Sequence, residues 1–336
     1  MSSKLITLVG LAGSGKSTYA KTLSDEYGYK IHSSDALRKE MFGDENVNSA
    51  EENERMFAEL HRRIKTDLEN GIDVIYDATN INKRNRLDFL RYINGVDCNK
   101  LCILVMLPYW MCLERNANRE RKVPDYAITK MYTHFQPPSK KEGWDDFQIF
   151  INCDKSDIEC FSEKFLFNMA SGIDWFSQDS HKYRGSLGEH SRKAAEIMSE
   201  CKKELEYTAL IHDVGKVFTK SRYNLDGKDD GYSHYRHHNN VGAYDSIFYL
   251  INDDDCDADG IIYRSNLIYY HMSPYYKGWN DTKSKERRLI SQLGKEMYDD
   301  ILLLHKCDVE SHKERTCCSR LLLITDRTIR ISPDIM

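Results

Sequence analysis

An α/β domain built on a parallel sheet with helices on both faces, followed by an all-α region, is the fold this sequence predicts. Three observations predict it. Short apolar runs alternate with charged, helix-length segments up to about residue 155, the pattern of strands joined by crossover helices. A glycine-rich loop separates the first apolar run from the first helical pattern. Beyond about residue 165 helical patterns dominate, with no regular strand spacing. A chain of 336 residues has room for two domains. The change of texture places their boundary near 155–170, giving units 1–160 and 165–336, although no Gly/Ser/Pro linker marks it.

In chain order, Leu5–Val9 reads as a buried strand, and the helix after the glycine loop runs through Tyr19, Ala20 and Leu23. Lys30–His32, Val74–Tyr76 and Leu101–Leu107 are the next strands. Phe147–Ile151 follows Pro137-Pro138 and Glu142-Gly143-Trp144 as the last one. Leu187–Cys201, Glu206–His212, Ala243–Ile251 and Glu296–His312 carry helical spacing, and the acidic stretch Asp253–Asp259 reads as a surface loop. There are no internal repeats.

Composition excludes several classes. Forty per cent of residues are hydrophobic and 30% charged, which argues against disorder and against a membrane protein. The longest apolar runs fall far short of the ~18–20 residues of a spanning helix. Lys and Arg total 48 against 53 Asp and Glu, a net charge of −5, so affinity from a broad basic surface is not expected. Any nucleic-acid contact must come from a local groove. The ten cysteines form no paired CxxC framework, which favours free thiols, Cys317 and Cys318 included. The N-terminus enters a strand with no signal-peptide cleavage region, so a cytoplasmic protein is expected.

The loop Gly10-Leu11-Ala12-Gly13-Ser14-Gly15-Lys16-Ser17-Thr18 fits G-x-x-x-x-G-K-S/T in full, between a strand and a helix. Its glycines let backbone N–H groups curl around phosphate oxygens, and the helix N-terminus adds positive potential. Lys16 is expected to reach the β/γ-phosphates and Ser17 to hold Mg²⁺. The loop establishes nucleotide binding and leaves the reaction open.

The second strand leads into Ser33-Ser34-Asp35, with Arg38 three residues on. An acid at a strand's carboxyl end points into the crevice where doubly wound sheets bind ligands. Asp35 there can take a proton from an attacking hydroxyl while Arg38 grips a phosphate. As bare residues the pair reads equally well as a helix N-cap. The third strand ends in Asp77-Ala78-Thr79-Asn80, with Arg84 and Arg86 beyond it. Arg115, Arg119 and Arg121 fall on about one and a half turns of a predicted helix. They read either as a solvated face or as an arginine lid over a transferring phosphoryl group.

The order of these elements resembles the P-loop kinases of the polynucleotide-kinase type over about residues 4–155. The matching stretches are Gly10–Thr18, Ser34-Asp35-x-x-Arg38, Asp77-Ala78-Thr79-Asn80 and Arg115-x-x-x-Arg119-x-Arg121-x-Val123-Pro124. The resemblance implies phosphorylation of a 5′-hydroxyl end at the expense of ATP or GTP with Mg²⁺. In it Asp35 is the general base, and Arg38, Asp77, Asn80 and Arg84 meet the acceptor. Related small-molecule kinases share these motifs, so the acceptor stays open.

The second half holds nine of the twelve histidines. Glu189-His190 opens a helical segment, and His212-Asp213-Val214-Gly215-Lys216 follows another. His234, His237 and His238 precede Asn240-Val241-Gly242-Ala243, while His271 and Asp308 lie in later helical stretches. Imidazole and carboxylate are both good ligands for divalent first-row metals. These segments resemble the HD-superfamily phosphohydrolases over about residues 178–312. The resemblance implies His190, His212, Asp213 and Asp308 as core ligands of a Mn, Ni, Co or Zn ion, with His238 and His271 completing a second site. It places Lys216 on a substrate phosphate. His237 is the alternative to His238, and His181, His305 and His312 are expected at the surface or behind the ligands.

A kinase-like half and a phosphohydrolase-like half together imply end-healing of RNA or DNA. One site would phosphorylate a 5′-OH; the other would remove a 2′,3′-cyclic or terminal phosphate from the facing end. No Lys-x-Asp-Gly ligase nucleophile is present, since the nearest match, Asn224-Leu225-Asp226-Gly227, lacks the lysine, so a separate ligase is implied. The two sites are expected to act as independent modules. Two rival readings stand: a small-molecule kinase fused to a nucleotidase, and a kinase regulated by a nucleotide-sensing helical module.

Overall fold

A computed structural model of the chain describes residues 2–44, 49–161, 166, 172–180, 185–251 and 256–312. His181, Cys317, Cys318, part of the acidic stretch 253–259 and much of the expected boundary lie outside these residues.

The first half runs β1 (Ser3–Val9), α1 (Lys16–Tyr27), β2 (Lys30–Ser33), α2 (Ser34–Phe42), α3 (Ala50–Glu69), β3 (Val74–Asp77), α4 (Lys83–Tyr92), β4 (Cys98–Met106), α5 (Tyr109–Ala117), α6 (Asp125–Thr133) and β5 (Asp146–Ile151). The five strands form one parallel sheet in the order β2-β3-β1-β4-β5. Its central strands read as unbroken apolar runs because helices cover both faces. The order reverses at β1, and the crevice at the carboxyl ends beside it is where a ligand of such a sheet binds. Ser49 and Glu52 close a capping box that starts α3. Arg86 is fully buried, with two 2.8 Å bonds to Glu142 and further bonds to the carbonyls of Asn80 and Gln136, so it ties α4 to the segment before β5.

The second half contains α7 (Leu187–Cys201), α8 (Glu206–Ile211), α9 (Lys216–Thr219), β6 (Lys220–Tyr223), β7 (Asp229–Tyr235), α10 (His238–Leu250), α11 (Ala258–Tyr270), α12 (Lys283–Leu293) and α13 (Lys295–Ser311). It is helical, as expected, with one addition: the antiparallel hairpin β6–β7. Its turn is built on the Asn224-to-Gly227 stretch. The Asn224 side chain accepts from the N–H groups of Asp226 and Lys228, and Gly227 takes φ 73°. Among the described residues no helix is long and apolar enough to cross a membrane, and the eight described cysteines are free.

Each half has a cluster of its own, but the largest hydrophobic cluster is common to both. It includes Leu5, Leu104 and Phe135 together with Tyr244, Phe248 and Ile268. Eleven of the thirteen residues of α10 are buried, and a helix apolar all round belongs at the centre of a molecule. Tyr244 donates to the Leu107 carbonyl at 2.6 Å, and Asn240 to that of Phe135 at 3.0 Å. Tyr132 donates to Asp245 at 2.5 Å, where burial pushes the Asp245 carboxyl up to about 7 despite that bond. From α11, Asn266 donates to the Pro138 carbonyl, while the Tyr269 and Tyr270 hydroxyls accept from Gln136 and Lys83.

Candidate active sites

The glycine loop wraps from β1 into α1 and borders a cavity of about 350 Å³ at the carboxyl end of the sheet. Gly13 adopts φ 89°, and a Cβ there would stand 2.5 Å from the Cys112 carbonyl oxygen, so the loop needs glycine on two counts. Lys16 is buried, its ammonium 2.7 Å from the Leu11 carbonyl, and burial lowers its pKa. Ala12, Gly13, Gly15, Lys16, Ser17 and Thr18 line the cavity; Gly10 and Ser14 lie behind it and hold the loop's shape.

The acids divide. Asp77 is buried at the end of β3, hydrogen-bonded by Ser17 and Ser33, and burial raises its pKa. It lines the same cavity as Ser17 and Asp35. Asp35 lies in the first turn of α2, whose N-cap is Ser33, and is half exposed. Its Oδ1 meets Arg38 at 3.0 Å and its Oδ2 meets Arg121 at 2.7 Å.

Two expectations are corrected here. Arg119 and Arg121 are not on a helix with Arg115, because α5 ends at Ala117 and both lie in the bend beyond. Arg84 points to solvent on α4, 88% exposed, 3.8 Å from Asp88 and away from the cavity lining. Asn80 takes φ 48° and donates to the Leu8 carbonyl at 2.9 Å, pinning β3 to β1. Arg115 and Arg119 do line the cavity. Asn152, which the sequence reading missed, donates to the Ser14 carbonyl at 2.8 Å and accepts at its own carbonyl from Arg115 at 2.7 Å. Its position just past β5, at the carboxyl edge of the sheet, was the available signal.

The histidines and aspartates converge behind α10. Among the described residues two ligand groups form: His190, His212, Asp213 and Asp308; and Asp213, His238 and His271. All six residues are buried. Asp213 is shared, with Oδ2 3.1 Å from His190 Nε2 and 3.4 Å from His212 Nε2. Its Oδ1 lies 3.4 Å from His238 Nε2 and 3.5 Å from His271 Nε2. The adjacent pair His212-Asp213 reaches one point because α8 stops at Ile211 and the chain turns there. His238 opens α10 facing inward; His237, at φ 62°, packs on His134 instead. His312 stacks on His190 and His305 lies edge-on to Tyr275.

The cluster calls for positive charge. Against the cost of burial, Lys216 and the histidines hold Asp213 well below the usual carboxylate range. Burial disfavours an imidazolium at His212, yet Asp213 and Asp308 carry it up to about 10. Imidazole nitrogens 3.3 Å apart at His190 and His212, and 3.2 Å apart at His238 and His271, fit cations between them. Lys216 bonds Asp213 at 2.5 Å and Gln178 at 2.9 Å at the rim.

Residues 5–138 match a family model described as an AAA domain. The chain is 32% identical over 142 residues to the L-seryl-tRNA(Sec) kinase of Methanococcus maripaludis, covering 42% of this chain and 56% of that protein. It is 25% identical over 152 residues to Protein kti12 of Schizosaccharomyces pombe, covering 42% and 54%. The chain thus spans about half the length of the curated relatives it matches. Among solved structures, a chain of the Pnkp1/Rnl/Hen1 RNA repair complex is 27% identical over 39% of this chain and 43% of its own, with a TM-score of 0.36. A gluconokinase from Sinorhizobium meliloti is 16% identical over 46% and 87%, with a TM-score of 0.34. The N-terminal part of the chain carries a P-loop kinase fold, matched over residues 5–138 by the AAA-domain model, and a helical region follows it.

Proposed function

We propose that the protein heals nucleic-acid ends with two activities: ATP-dependent phosphorylation of a 5′-OH at the crevice, and removal of a 2′,3′-cyclic or terminal phosphate at the histidine–aspartate centre. The observation that carries the reading is the pair of ligand groups sharing Asp213 in one chain with a complete phosphate loop and an acid at its mouth. In this reading 1–160 and 165–336 are the functional units, RNA or DNA ends the substrates, and a separate ligase the successor.

At the crevice Lys16 and the loop N–H groups bind the donor phosphates, and Ser17 with Asp77 holds Mg²⁺. Asp35 accepts the proton of the attacking hydroxyl. Arg38 meets the acceptor's phosphate, while Arg115, Arg119 and Arg121 neutralise charge on the transferring group. At the second site divalent metals, when bound, supply Lewis acidity and a water of lowered pKa. His190, His212, Asp213 and Asp308 hold one ion, Asp213, His238 and His271 the other, and Lys216 turns to the substrate phosphate.

The test offers ATP with a 5′-OH RNA oligomer, then a 2′,3′-cyclic end, to the wild type, Lys16→Ala and Asp213→Ala. Each substitution is expected to remove one activity and spare the other; loss of both in a folded variant overturns the assignment of sites. A second reading draws on the similarity to L-seryl-tRNA(Sec) kinase: the acceptor is a hydroxyl on an amino acid carried by RNA. Faster turnover of seryl-RNA than of a 5′-OH end would favour it, and turnover of free nucleosides alone would overturn both.

A further inference from the structure

Four imidazoles serve the two ligand groups, and each must present an unprotonated Nε2 to hold a cation. Three are fixed in that tautomer by the backbone. The Nδ1–H of His212 donates to the Ala209 carbonyl at 2.7 Å, that of His238 to Tyr235 at 2.6 Å, and that of His271 to Ile268 at 2.6 Å. His190 is the exception, because its Nδ1 faces a side chain, Ser311 Oγ, at 2.7 Å.

Proton bookkeeping settles that contact. Ser311 Oγ also lies 2.6 Å from the Asp308 carbonyl, which can only accept. The hydroxyl proton goes to that carbonyl, a lone pair accepts the His190 Nδ1–H, and Nε2 is left unprotonated. The other end of the same group has a matching device. The Tyr275 hydroxyl donates to Asp308 Oδ2 at 2.9 Å, which leaves Oδ1 facing His190 Nε2 at 3.2 Å. Ser311 is buried in the last turn of α13, one turn beyond Asp308, so one helix end aligns two ligands.

We infer that Ser311, acting through His190, and Tyr275, acting through Asp308, are positioning residues that set the metal affinity of the first ligand group and leave the second nearly untouched. The inference rests on reading the cluster as a metal centre. Groups that orient metal ligands in this way are worth about 10- to 100-fold in affinity.

Calorimetric titration of the full chain with Mn²⁺, and absorption of the Co²⁺ form, test it. The wild type is expected to bind two ions. Ser311→Ala should weaken one of them by about 10- to 100-fold and leave the other nearly unchanged. Ser311→Thr, which keeps the hydroxyl, should restore the lost affinity, and Tyr275→Phe should weaken the same ion as Ser311→Ala. Equal weakening of both ions, or a folded Ser311→Ala protein that titrates like the wild type, overturns the inference while the metal centre stands. A wild type that takes up no ion overturns the metal-centre reading itself and the inference with it.

Discussion

The crevice and the histidine–aspartate centre are built by opposite means. At the crevice Asp35 sits in the first turn of a helix, and Arg119 and Arg121 on the bend after another. Asp35 is half exposed and is held by two arginines, Arg38 and Arg121. At the centre His190, His212 and His271 are fully buried, and hydrogen bonds on their far sides fix every ring. A site that exchanges a large anion each turnover needs charges that water can reach and that can let go of one another. If the centre holds ions, as proposed, it needs ligands that stay put, because each buried group has little else to pair with once they are gone.

The harshest way to break the contrast is Asp213→Ala. Because one carboxylate faces both ligand groups, we expect both ions to leave, phosphoester hydrolysis to fall by at least about 100-fold, and phosphorylation to persist. Metal analysis and phosphate release read it. Asp35→Asn tests the exchangeable site. Its phosphorylation rate should drop by about 10²- to 10⁴-fold while ATP affinity, measured separately, stays close to wild type. A collapse of affinity with unchanged turnover would mean that Asp35 belongs to donor binding.

A third experiment addresses the seam between the regions. Asp245 has a folded pKa of about 7 against an ordinary 3.8, so the folded chain keeps a proton that the unfolded chain releases between those values. That carboxyl's contribution to stability is therefore present at low pH and is lost as pH rises from about 4 to about 7, at about 1.4 kcal/mol per unit. Denaturant midpoints of Asp245→Asn relative to wild type should improve over that window and level off above it; a flat difference would show the carboxyl to be ionised in the fold. The smallest effect is expected for His237→Ala, which should keep both ions where His238→Ala loses one. Metal stoichiometry decides between the two neighbours.

The first half was legible because its signals are local. The glycine loop, the strand before it and the acid after β2 are short patterns, each tied to backbone geometry. The histidines and aspartates were named through the resemblance to the HD-superfamily phosphohydrolases, and the fold brings those six residues together. What failed depended on where helices stop. No glycine follows Ala117, and Asn118, a weaker stop signal, was passed over at the end of α5, while Arg84 looked like a neighbour of Asp77 until α4 turned it outward. The hairpin β6–β7 hid behind charged residues, although its Asn-to-Gly turn was in view. Least legible was the shared interior, because contacts such as Tyr244 to Leu107 join positions 137 residues apart.

The burial of α10 bears on how this chain can be cut. The boundary that composition invites, near residue 160, looks like a place for a protease or for two separate genes. Division there would strip cover from Phe135 and Leu107 on one fragment and leave Tyr244, Phe248 and Leu250 wet on the other. Each fragment would carry a greasy scar suited to aggregation rather than to work. Loss of one of the two sites is therefore expected to come through point changes among the ligands or in the phosphate loop, with the shared interior kept.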